Sequence, residues 1–425
     1  METYGKILLI AMPAFLVLVL LEKWYGVLKH NDTVRNMDMI SSLSSGLTNV
    51  TKDVLGLSIA VLSYEWMVSH WAILHIQSSV IVYIVAFIAL DFMGYWVHRI
   101  QHHINFFWNA HLVHHSSEEF NLACALRQSI SSFVKLFTLF LLPAALLGIP
   151  AKVIGIVAPL HLFAQFWYHT RHIGKMGWIE YILVTPAHHR VHHAINPEYI
   201  DKNFSQIFIF WDKLFGTFQE ELDNVPAVYG ITRPAATWNP IKINFMHVIL
   251  LIKDAWRTKS WKNKLRIWFM PTGWRPADVA QQYPIQKITD VYHFTKYHTP
   301  AGNGLSVFIW IQMTLLLLLI SYFFGNIAAI GSPGIFIYGG YVFLYVYAYT
   351  ELMDRNPKAW LWELFKALYA GVIIIQSGDW FHLKQWIPAI TQILLAYHVI
   401  AVAISYWYSV NNPIRIESKS AAIRQ

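Results

Sequence analysis

Apolar residues in this chain occur in long runs rather than in the short alternating patterns of soluble helices and strands. A helix needs about 20 mostly apolar residues to cross a bilayer. Runs of that kind lie near 5–24, 44–68, 72–97, 130–149, 151–168, 305–324, 330–350, 360–377 and 383–408. The pattern therefore predicts an all-α fold, a polytopic membrane helical bundle with about nine spanning helices. Lys52, Asp53 and Glu65 interrupt the second run, so we expect its ends to be interfacial.

The segment 220–304 breaks this pattern, because it is polar and prolines recur along it. Its basic residues interleave with tryptophans, a composition typical of helices that lie in the membrane interface. The residues concerned are Lys259, Lys262, Lys264, Arg266, Trp256, Trp261, Trp268 and Trp274. We therefore expect three parts: a membrane core at 1–219, a cytosolic or interfacial segment at 220–304, and C-terminal transmembrane helices at 305–425.

Composition supports an integral membrane protein. Of the 425 residues, 56% are hydrophobic and only 13% are charged, which excludes an ordinary soluble protein. The net charge of +8 comes mainly from loops that flank apolar runs, so anionic lipid headgroups are expected as the counter-charge and nucleic acid is not. Cys124 is the only cysteine, which excludes an intramolecular disulfide and a thiolate metal cluster.

The distribution of lysine and arginine predicts the orientation of the chain in the membrane. Short cytosolic loops are enriched in these residues, and one orientation satisfies nearly all of them, with the N-terminus outside and the C-terminus inside. This orientation places the following charged residues in the cytosol: Lys23, Lys29, Arg35, Asp354, Arg355, Lys358, Arg415, Lys419 and Arg424. We accordingly expect an endoplasmic reticulum protein in a eukaryote, or an inner membrane protein in a bacterium.

The chain has three histidine clusters. Two lie between the predicted spans at 72–97 and 130–149, and the third follows the predicted membrane hairpin at 130–168. They contain His98 and His102, then His111, His114 and His115, then His189, His192 and His193. Spacings of three and four residues place imidazoles on one helical face, and the predicted orientation brings all three clusters to the cytosolic side. Scattered structural histidines would not gather in this way. The pattern therefore predicts a metal centre, with His103, His169, His172 and His188 as further candidates.

The number of ligands bears on the metal. One zinc ion needs about four ligands, whereas eight histidines can hold two ions with open positions, as oxygen activation requires. We therefore expect a di-iron centre. Asp91 lies seven residues before His98 on the same helical face. A carboxylate there is expected to accept the second ring proton of a ligating histidine.

The sequence around these clusters resembles the fatty acid hydroxylase and sterol desaturase superfamily of membrane di-iron enzymes. Within it, the flanking residues are most similar to the alkylglycerol monooxygenase subgroup. The similar stretches are Asp91 to Gln128, Thr185 to His193, Asp201 to Asn203, Trp211 to Phe218, Val228 to Gly230 and Asn356 to Ala359. The resemblance implies that the eight histidines are iron ligands. It also implies a tetrahydrobiopterin-dependent monooxygenase that hydroxylates the ether-linked carbon of an alkylglycerol, releasing fatty aldehyde and a glycerol derivative.

One departure concerns the electron donor. The animal enzymes of the subgroup resemble His-x-x-x-His-Glu in the first cluster, whereas this chain has His103 in place of the acidic residue. The donor could therefore be a pterin or a redox protein. Other polar residues near the clusters are candidates for catalysis (Glu118 and Asn121, together with Asp91) or for cofactor binding (Arg127, Gln128 and Asp201). Helix caps and loop salt bridges are the alternative roles.

Three functions are compatible with the sequence. The first is the alkylglycerol oxygenase, which takes a lipid from the bilayer, molecular oxygen and electrons from a donor. The second keeps the iron but acts on a sterol, a fatty acid or a carotenoid. The third is a metal transporter or sensor, which would hold its ligands along a path at bilayer depth. Aromatic stretches at 163–168 and 208–211 could line an acyl tunnel or pack in the core.

Overall fold

The computed structural model describes residues 2–60 and 62–411, which form helices connected by loops and one short strand pair. The helices of the first half are α1 (Glu2–Leu28), α2 (Asn36–Val54), α3 (Tyr64–Trp71), α4 (Val80–His103), α5 (Asn105–His115), α6 (Leu142–Leu146), α7 (Ala151–Phe163), α8 (Pro186–His193) and α9 (Phe210–Phe215). Strands β1 (Ile59–Ala60) and β2 (Val134–Lys135) pair in parallel. Short 3-10 helices cover Cys124–Leu126, Leu136–Leu141 and Gly177–Tyr181.

The second half begins with the helices of the polar segment and ends with long apolar helices. These are α10 (Pro240–Arg257), α11 (Trp261–Arg266), α12 (Ala277–Gln282), α13 (Asn303–Gly325), α14 (Ile327–Ile330), α15 (Gly334–Met353), α16 (Ala359–Ser377) and α17 (Ile390–Asn411), with a 3-10 turn at Leu383–Gln385. Three basic residues used to orient the chain, Arg415, Lys419 and Arg424, lie outside the described residues.

Five of the described helices are long and apolar enough to cross a membrane. They are the part of α1 from Gly5 to Leu28, together with α4, α13, α16 and α17. The predicted all-α membrane architecture is confirmed. By length and composition, five helices among the described residues qualify as spans, fewer than the nine predicted runs, because several of those runs are divided among shorter elements. The number of helices that cross the membrane stays a prediction.

The predicted hairpin at 130–168 shows why the number differs. The first run contains β2, a 3-10 helix and the five-residue α6, and the second contains the 13-residue α7. Gly148 separates them with a φ of 69°, and a Cβ atom there would lie 1.7 Å from the carbonyl oxygen of Leu74. Pro150 then caps the start of α7. The turn at Gly148 and Pro150 falls where the two predicted runs meet. The number of spans is lower because the first run is divided into short elements and α7 ends after 13 residues.

The largest apolar core lies where the N-terminal helices meet the C-terminal ones. Buried side chains of α1, α2, α13, α15, α16 and α17 pack together in it. One face of α15 contributes a buried tyrosine stripe with helical spacing, formed by Tyr338, Tyr341, Tyr345 and Tyr349. Helices of the proposed first and third parts thus share one core, and the division at 219 and 304 stays a prediction.

Helix α2 is polar and yet buried within this apolar core. Its buried hydroxyl-bearing residues are Ser41, Ser42, Ser44, Ser45, Thr48 and Thr51. Several of these hydroxyls donate to carbonyls of the preceding helical turn, as Thr51 does to Leu47 at 2.7 Å. At the start of α2, Asp38 pairs with Arg127 at 2.7 Å and accepts a hydrogen bond from Ser117 at 2.7 Å. Helix α2 therefore joins the membrane bundle to the loop that follows α5.

The polar segment packs against the histidine-bearing helices through α10. Asn239 caps α10, with Pro240 at its first position, and the amide oxygen of Asn109 in α5 accepts the backbone N–H of Val248 at 2.8 Å. Beyond this contact, the Trp256 and Trp261 side chains are 85% and 77% exposed, so they are not packed in the protein interior. That exposure agrees with an interfacial position, which stays a prediction.

A charged pair is buried among the C-terminal helices. The ammonium of Lys366 lies 2.6 Å from the carboxylate of Glu363, and neither side chain is exposed. Gln312 of α13 bridges the two, because it donates to Glu363 at 2.6 Å and accepts from Lys366 at 3.0 Å. A buried charge is tolerated in such a place only when it is paired and hydrogen-bonded.

We expect Lys366→Met to destabilise the protein by on the order of 3 kcal/mol, because Glu363 would remain buried without its counter-ion. The measurement is the midpoint of thermal unfolding in detergent. Glu363→Gln combined with Lys366→Met should recover much of the loss. The exposed Lys358→Met, at the start of α16, should have no effect. Unfolding of Lys366→Met at the wild-type temperature would contradict the assignment.

Candidate metal centre

Helices α4, α5 and α8 carry the eight predicted ligands. His98 and His102 lie one turn apart near the end of α4, and both are buried. His111, His114 and His115 lie on α5, and a single residue, Ile104, separates α4 from α5. The close connection brings the two helices together at their histidine-bearing faces.

Helix α8 is short, and its sequence favours a well-defined N-terminus. Thr185 and His188 form a capping box, and Pro186 occupies a position where its missing N–H costs nothing. His189, His192 and His193 then lie at helical spacings of three and four residues, and all three are buried. The local sequence therefore fixes the orientation of the third cluster.

The first group of converging rings contains histidines from all three helices. It consists of His98, His102, His111, His115 and His192, with one ring nitrogen from each within 4.8 Å of all the others. The Nε2 atoms face one another: His98 and His111 are 2.9 Å apart, and His115 lies 3.0 Å from His111 and 3.1 Å from His192. His102 completes the group, with its Nε2 atom 3.2 Å from that of His115.

The second group contains His114, His169, His189 and His193. Its Nε2 atoms are as close as those of the first: His189 lies 2.9 Å from His169 and 3.0 Å from His193. His114 is 3.4 Å from His169. His169 was named from the sequence only as a further candidate. Its one signal was a position at the end of an apolar run, on the predicted side of the other clusters.

The donor set of each group fits a metal ion. Two nitrogens about 2.1 Å from a common ion and at right angles lie about 3.0 Å apart, which is the separation seen between these Nε2 atoms. Neutral imidazoles that meet through Nε2 cannot all form hydrogen bonds with one another, because only a protonated nitrogen can donate. A cation bound to the nitrogens removes that conflict, so the two groups form a metal site.

Burial keeps these ligands in the form that binds metal. It lowers the pKa values of His114, His189 and His193 well below the ordinary value for histidine, and neighbouring imidazoles lower them further. The pKa of His169 is lowered to about 4, also chiefly by burial. Neutral imidazole is the metal-binding species, so the site needs no deprotonation before an ion enters.

The outer ring nitrogens are held mainly by backbone carbonyls. His98 Nδ1 lies 2.8 Å from the carbonyl oxygen of Phe204, and His192 Nδ1 lies 3.0 Å from that of Lys202. Asp201, in the same loop, places a carboxylate oxygen 3.5 Å from His102 Nδ1. The loop after α8 therefore orients three rings of the first group through their Nδ1 atoms.

Asp91 makes different contacts from those predicted. Its carboxylate lies 2.8 Å from Nε2 of His161, which belongs to neither group, and accepts the backbone N–H groups of Ile207 and Phe208. The indole of Trp211 donates to it at 2.9 Å. Asp91 therefore joins α4 to α7 and to the 207–211 loop, and the carboxylate facing a histidine of the metal site is that of Asp201.

The other candidate residues surround the site at varied distances. Asn121 donates to the carbonyl of Thr33, and Arg127 pairs with Asp38. Glu118 accepts the backbone N–H of Tyr297 at 2.5 Å, and burial raises its pKa to about 7. The side-chain amide of Gln128 donates to Ala125. These four residues hold loops together around the site.

The remaining candidate histidines lie outside both groups. His103 is exposed, and its Nδ1 atom lies 2.8 Å from the carbonyl oxygen of Arg99. His172 lies 3.2 Å from the hydroxyl of Thr33, and the ring of His188 accepts the backbone N–H of Thr185 in the capping box of α8.

A cavity of about 1140 Å³ adjoins both groups of histidines. Its wall includes His98 and His111 of the first group, and His114, His169 and His189 of the second. Most of the remaining lining is apolar, including Leu8, Met12, Phe15 and Leu16 of α1, Leu43 and Leu47 of α2, Phe163, Phe166, Met313 and Leu317. Of the two aromatic stretches, 163–168 contributes to the wall, whereas residues 208–211 do not line it.

Comparison with known proteins agrees with this geometry. The family described as fatty acid hydroxylase matches residues 83–217, which contain every histidine of the two groups. The search of solved structures finds no significant match.

Full-length relatives give a narrower assignment. Alkylglycerol monooxygenase of Homo sapiens is 32% identical over 408 residues, covering 93% of this chain and 87% of the relative. The enzyme of Danio rerio is 32% identical over 403 residues, with the same coverage of both chains. That of Xenopus tropicalis is 32% identical over 369 residues, covering 86% of this chain and 81% of the relative. The chain therefore belongs to the alkylglycerol monooxygenase family.

Proposed function

We propose that this protein is a membrane di-iron oxidoreductase that hydroxylates the ether-linked carbon of alkylglycerol lipids. The observation that carries the proposal is the pair of all-histidine groups opening onto one apolar cavity. The similarity to alkylglycerol monooxygenases over most of the chain supports the substrate class.

The arrangement of the ligands supports two ions rather than one. Neighbouring residues on α5, His114 and His115, belong to different groups, as do His192 and His193 on α8. The rings of His115 and His193 stack with centroids 4.3 Å apart. Two ions held by these groups would therefore be adjacent, as oxygen activation by a pair of irons requires.

The chemistry requires a co-substrate and a source of electrons. One atom of molecular oxygen enters the carbon beside the ether oxygen, and the other leaves as water with two electrons and two protons from the donor. The resulting hemiacetal collapses to a fatty aldehyde and free glycerol. The bound irons would supply the oxygen activation, while the cavity holds the alkyl chain and excludes bulk water.

We propose tetrahydrobiopterin as the electron donor, with Glu118, Asn121, Arg127 and Gln128 near its binding site. His103 stands where the related motif has an acidic residue, so a redox protein is the alternative donor. We also propose that the metal centre faces the cytosol, because lysines and arginines concentrate in loops at that end of α4. This placement corresponds to the endoplasmic reticulum or to a bacterial inner membrane.

Metal analysis tests the ligand set directly. Purified protein should contain about two irons per chain, and His169→Ala should lower that number by about one, because it removes a ligand of a four-histidine group. The readout is elemental analysis by mass spectrometry. His103→Ala is the matched control, since this exposed histidine is adjacent to a ligand but lies in neither group. Full iron content in His169→Ala would refute its assignment as a ligand.

An activity assay tests the substrate. Protein incubated with 1-O-hexadecylglycerol, oxygen and tetrahydrobiopterin should release hexadecanal, and His114→Ala should abolish the product because a metal ligand is lost. Gas chromatography detects the aldehyde. Hydroxylation of a sterol or a fatty acid without any release of aldehyde would instead support a different substrate class for the same metal site.

We propose that Asp201 positions the imidazole of His102, whereas Asp91 stabilises the fold. Asp201→Asn should weaken iron binding by about 10-fold to 100-fold, because the amide polarises the imidazole less than a carboxylate does. Iron affinity is measured by chelator competition, alongside the melting temperature. Asp91→Asn should lower the melting temperature and leave the affinity of the folded protein nearly unchanged. The reverse pattern would exchange the two roles.

A further inference from the structure

The cavity has a polar stretch that the apolar chain of a lipid does not explain. Most of its wall is apolar, yet it includes hydrogen-bonding residues from α5, from the end of α2 and from the loop that precedes β2. We name this set the polar ribbon, and its members are Asn109, Ser131, Ser129, Ser132, Lys52, Asp53 and Asn49.

Hydrogen bonds connect the polar ribbon from end to end. Asn109 donates to the hydroxyl of Ser131 at 2.9 Å, and that hydroxyl lies 2.9 Å from the hydroxyl of Ser129. The ammonium of Lys52 donates to the carbonyl oxygen of Ser129 at 3.0 Å and lies 3.6 Å from the carboxylate of Asp53. Asn49 completes the ribbon by donating to Asp53 at 3.5 Å.

The ribbon begins beside the metal site. Asn109 lies two residues before His111 on α5, and both residues line the cavity. The cavity that adjoins the metal site therefore offers an ether lipid both hydrogen-bonding groups from the ribbon and apolar side chains from α1. That is the arrangement needed by an amphiphile whose reacting carbon joins a polar head to an alkyl chain.

The hydroxyl at Ser131 has capacity for a ligand. A serine hydroxyl offers one proton and two lone pairs. The Ser129 hydroxyl already accepts from the backbone N–H of Ser131 at 3.1 Å and from the hydroxyl of Ser132 at 3.4 Å, so it donates to Ser131. Ser131 then accepts from Ser129 and Asn109. Its own proton is left to donate to an acceptor in the cavity.

Charge along the ribbon is balanced internally. Lys52 is the buried cation and Asp53 is its anionic neighbour, so the two charges offset each other. Arg127 also lines the cavity, and its charge is paired with Asp38 at 2.7 Å. A wall with hydrogen-bonding groups and paired charges matches vicinal hydroxyls better than an anion, which would need an excess of positive charge.

We infer that the polar ribbon is the subsite for the glycerol diol of the lipid substrate, with Ser131 as a residue that determines specificity. The inference rests on the proposed function, because it takes the ether lipid as the ligand of the cavity. It adds the residues that recognise the head, and it fixes the direction in which the lipid lies. The hydroxyls lie along the ribbon, and the alkyl chain lies against α1.

Binding of two probes by the iron-loaded protein in nanodiscs tests the inference without turnover. The probes are 1-O-hexadecylglycerol and hexadecyl methyl ether, which has the ether and the chain but no diol. Wild-type protein should bind the glycerol ether about 10-fold more tightly, as expected for a few hydrogen bonds of ordinary strength. Ser131→Ala should reduce that preference about threefold or more.

The matched control is Ser45→Ala. Ser45 is a buried serine of α2 that donates to the carbonyl of Gln128 and does not line the cavity, so its loss should leave the preference unchanged. Asn49→Leu is a second ribbon variant that should act in the same direction as Ser131→Ala. It keeps the test decisive if Ser131→Ala fails to fold.

The outcomes separate the subsite from the reaction. Equal binding of the two probes by wild-type protein, or an equal loss for both probes in Ser131→Ala, would overturn the subsite even if aldehyde is released. A preference that falls only in the ribbon variants would support the subsite even if no aldehyde forms, and the proposed reaction alone would then fail.

Discussion

The convergence of nine imidazoles through their Nε2 atoms is the constraint on which this structure depends. Buried polar groups need partners, and nitrogens about 3 Å apart without enough protons between them would repel one another. Metal coordination by these nitrogens would replace that repulsion with favourable bonds. The surrounding helices must therefore hold rings from distant parts of the chain within a few ångströms of one another.

Two short helices meet that requirement with adjacent residues. On α5 and on α8, consecutive histidines project to different sides and enter different groups, so a small displacement of either helix disturbs both. The firm cap of α8 and the hydrogen bonds from Asn109 to α10 limit such displacements. The polar segment at 220–304 thus supports the metal site through α10.

The sequence indicated the histidines of the site that lie three or four residues from one another. Eight of the nine converging histidines lie in clusters with internal spacings of three or four residues, and helical periodicity brings the residues at those spacings to neighbouring positions on one helix. The histidine three residues after His169, His172, lies outside both groups, so only the packing of the segment after α7 against α8 identifies His169. Long apolar runs predicted a membrane bundle correctly. They could not show that the run at 130–149 forms β2, a 3-10 helix and the short α6 instead of one long helix, because an apolar composition does not specify continuous helix.

Asp91 and Asp201 show that sequence spacing does not predict which carboxylate contacts a histidine of the metal site. Asp91 lies on the same face of α4 as His98, yet helix direction fixes only the side from which a group projects, and α7 occupies the space beside it with His161. Asp201 lies in a loop with a φ of 55°, a conformation that a local pattern does not reveal. The carbonyls of this loop and the carboxylate of Asp201 lie beside the outer nitrogens of His98, His192 and His102. The residues that orient the converging histidines thus follow from tertiary contacts, whereas the sequence alone indicates most of the histidines that converge.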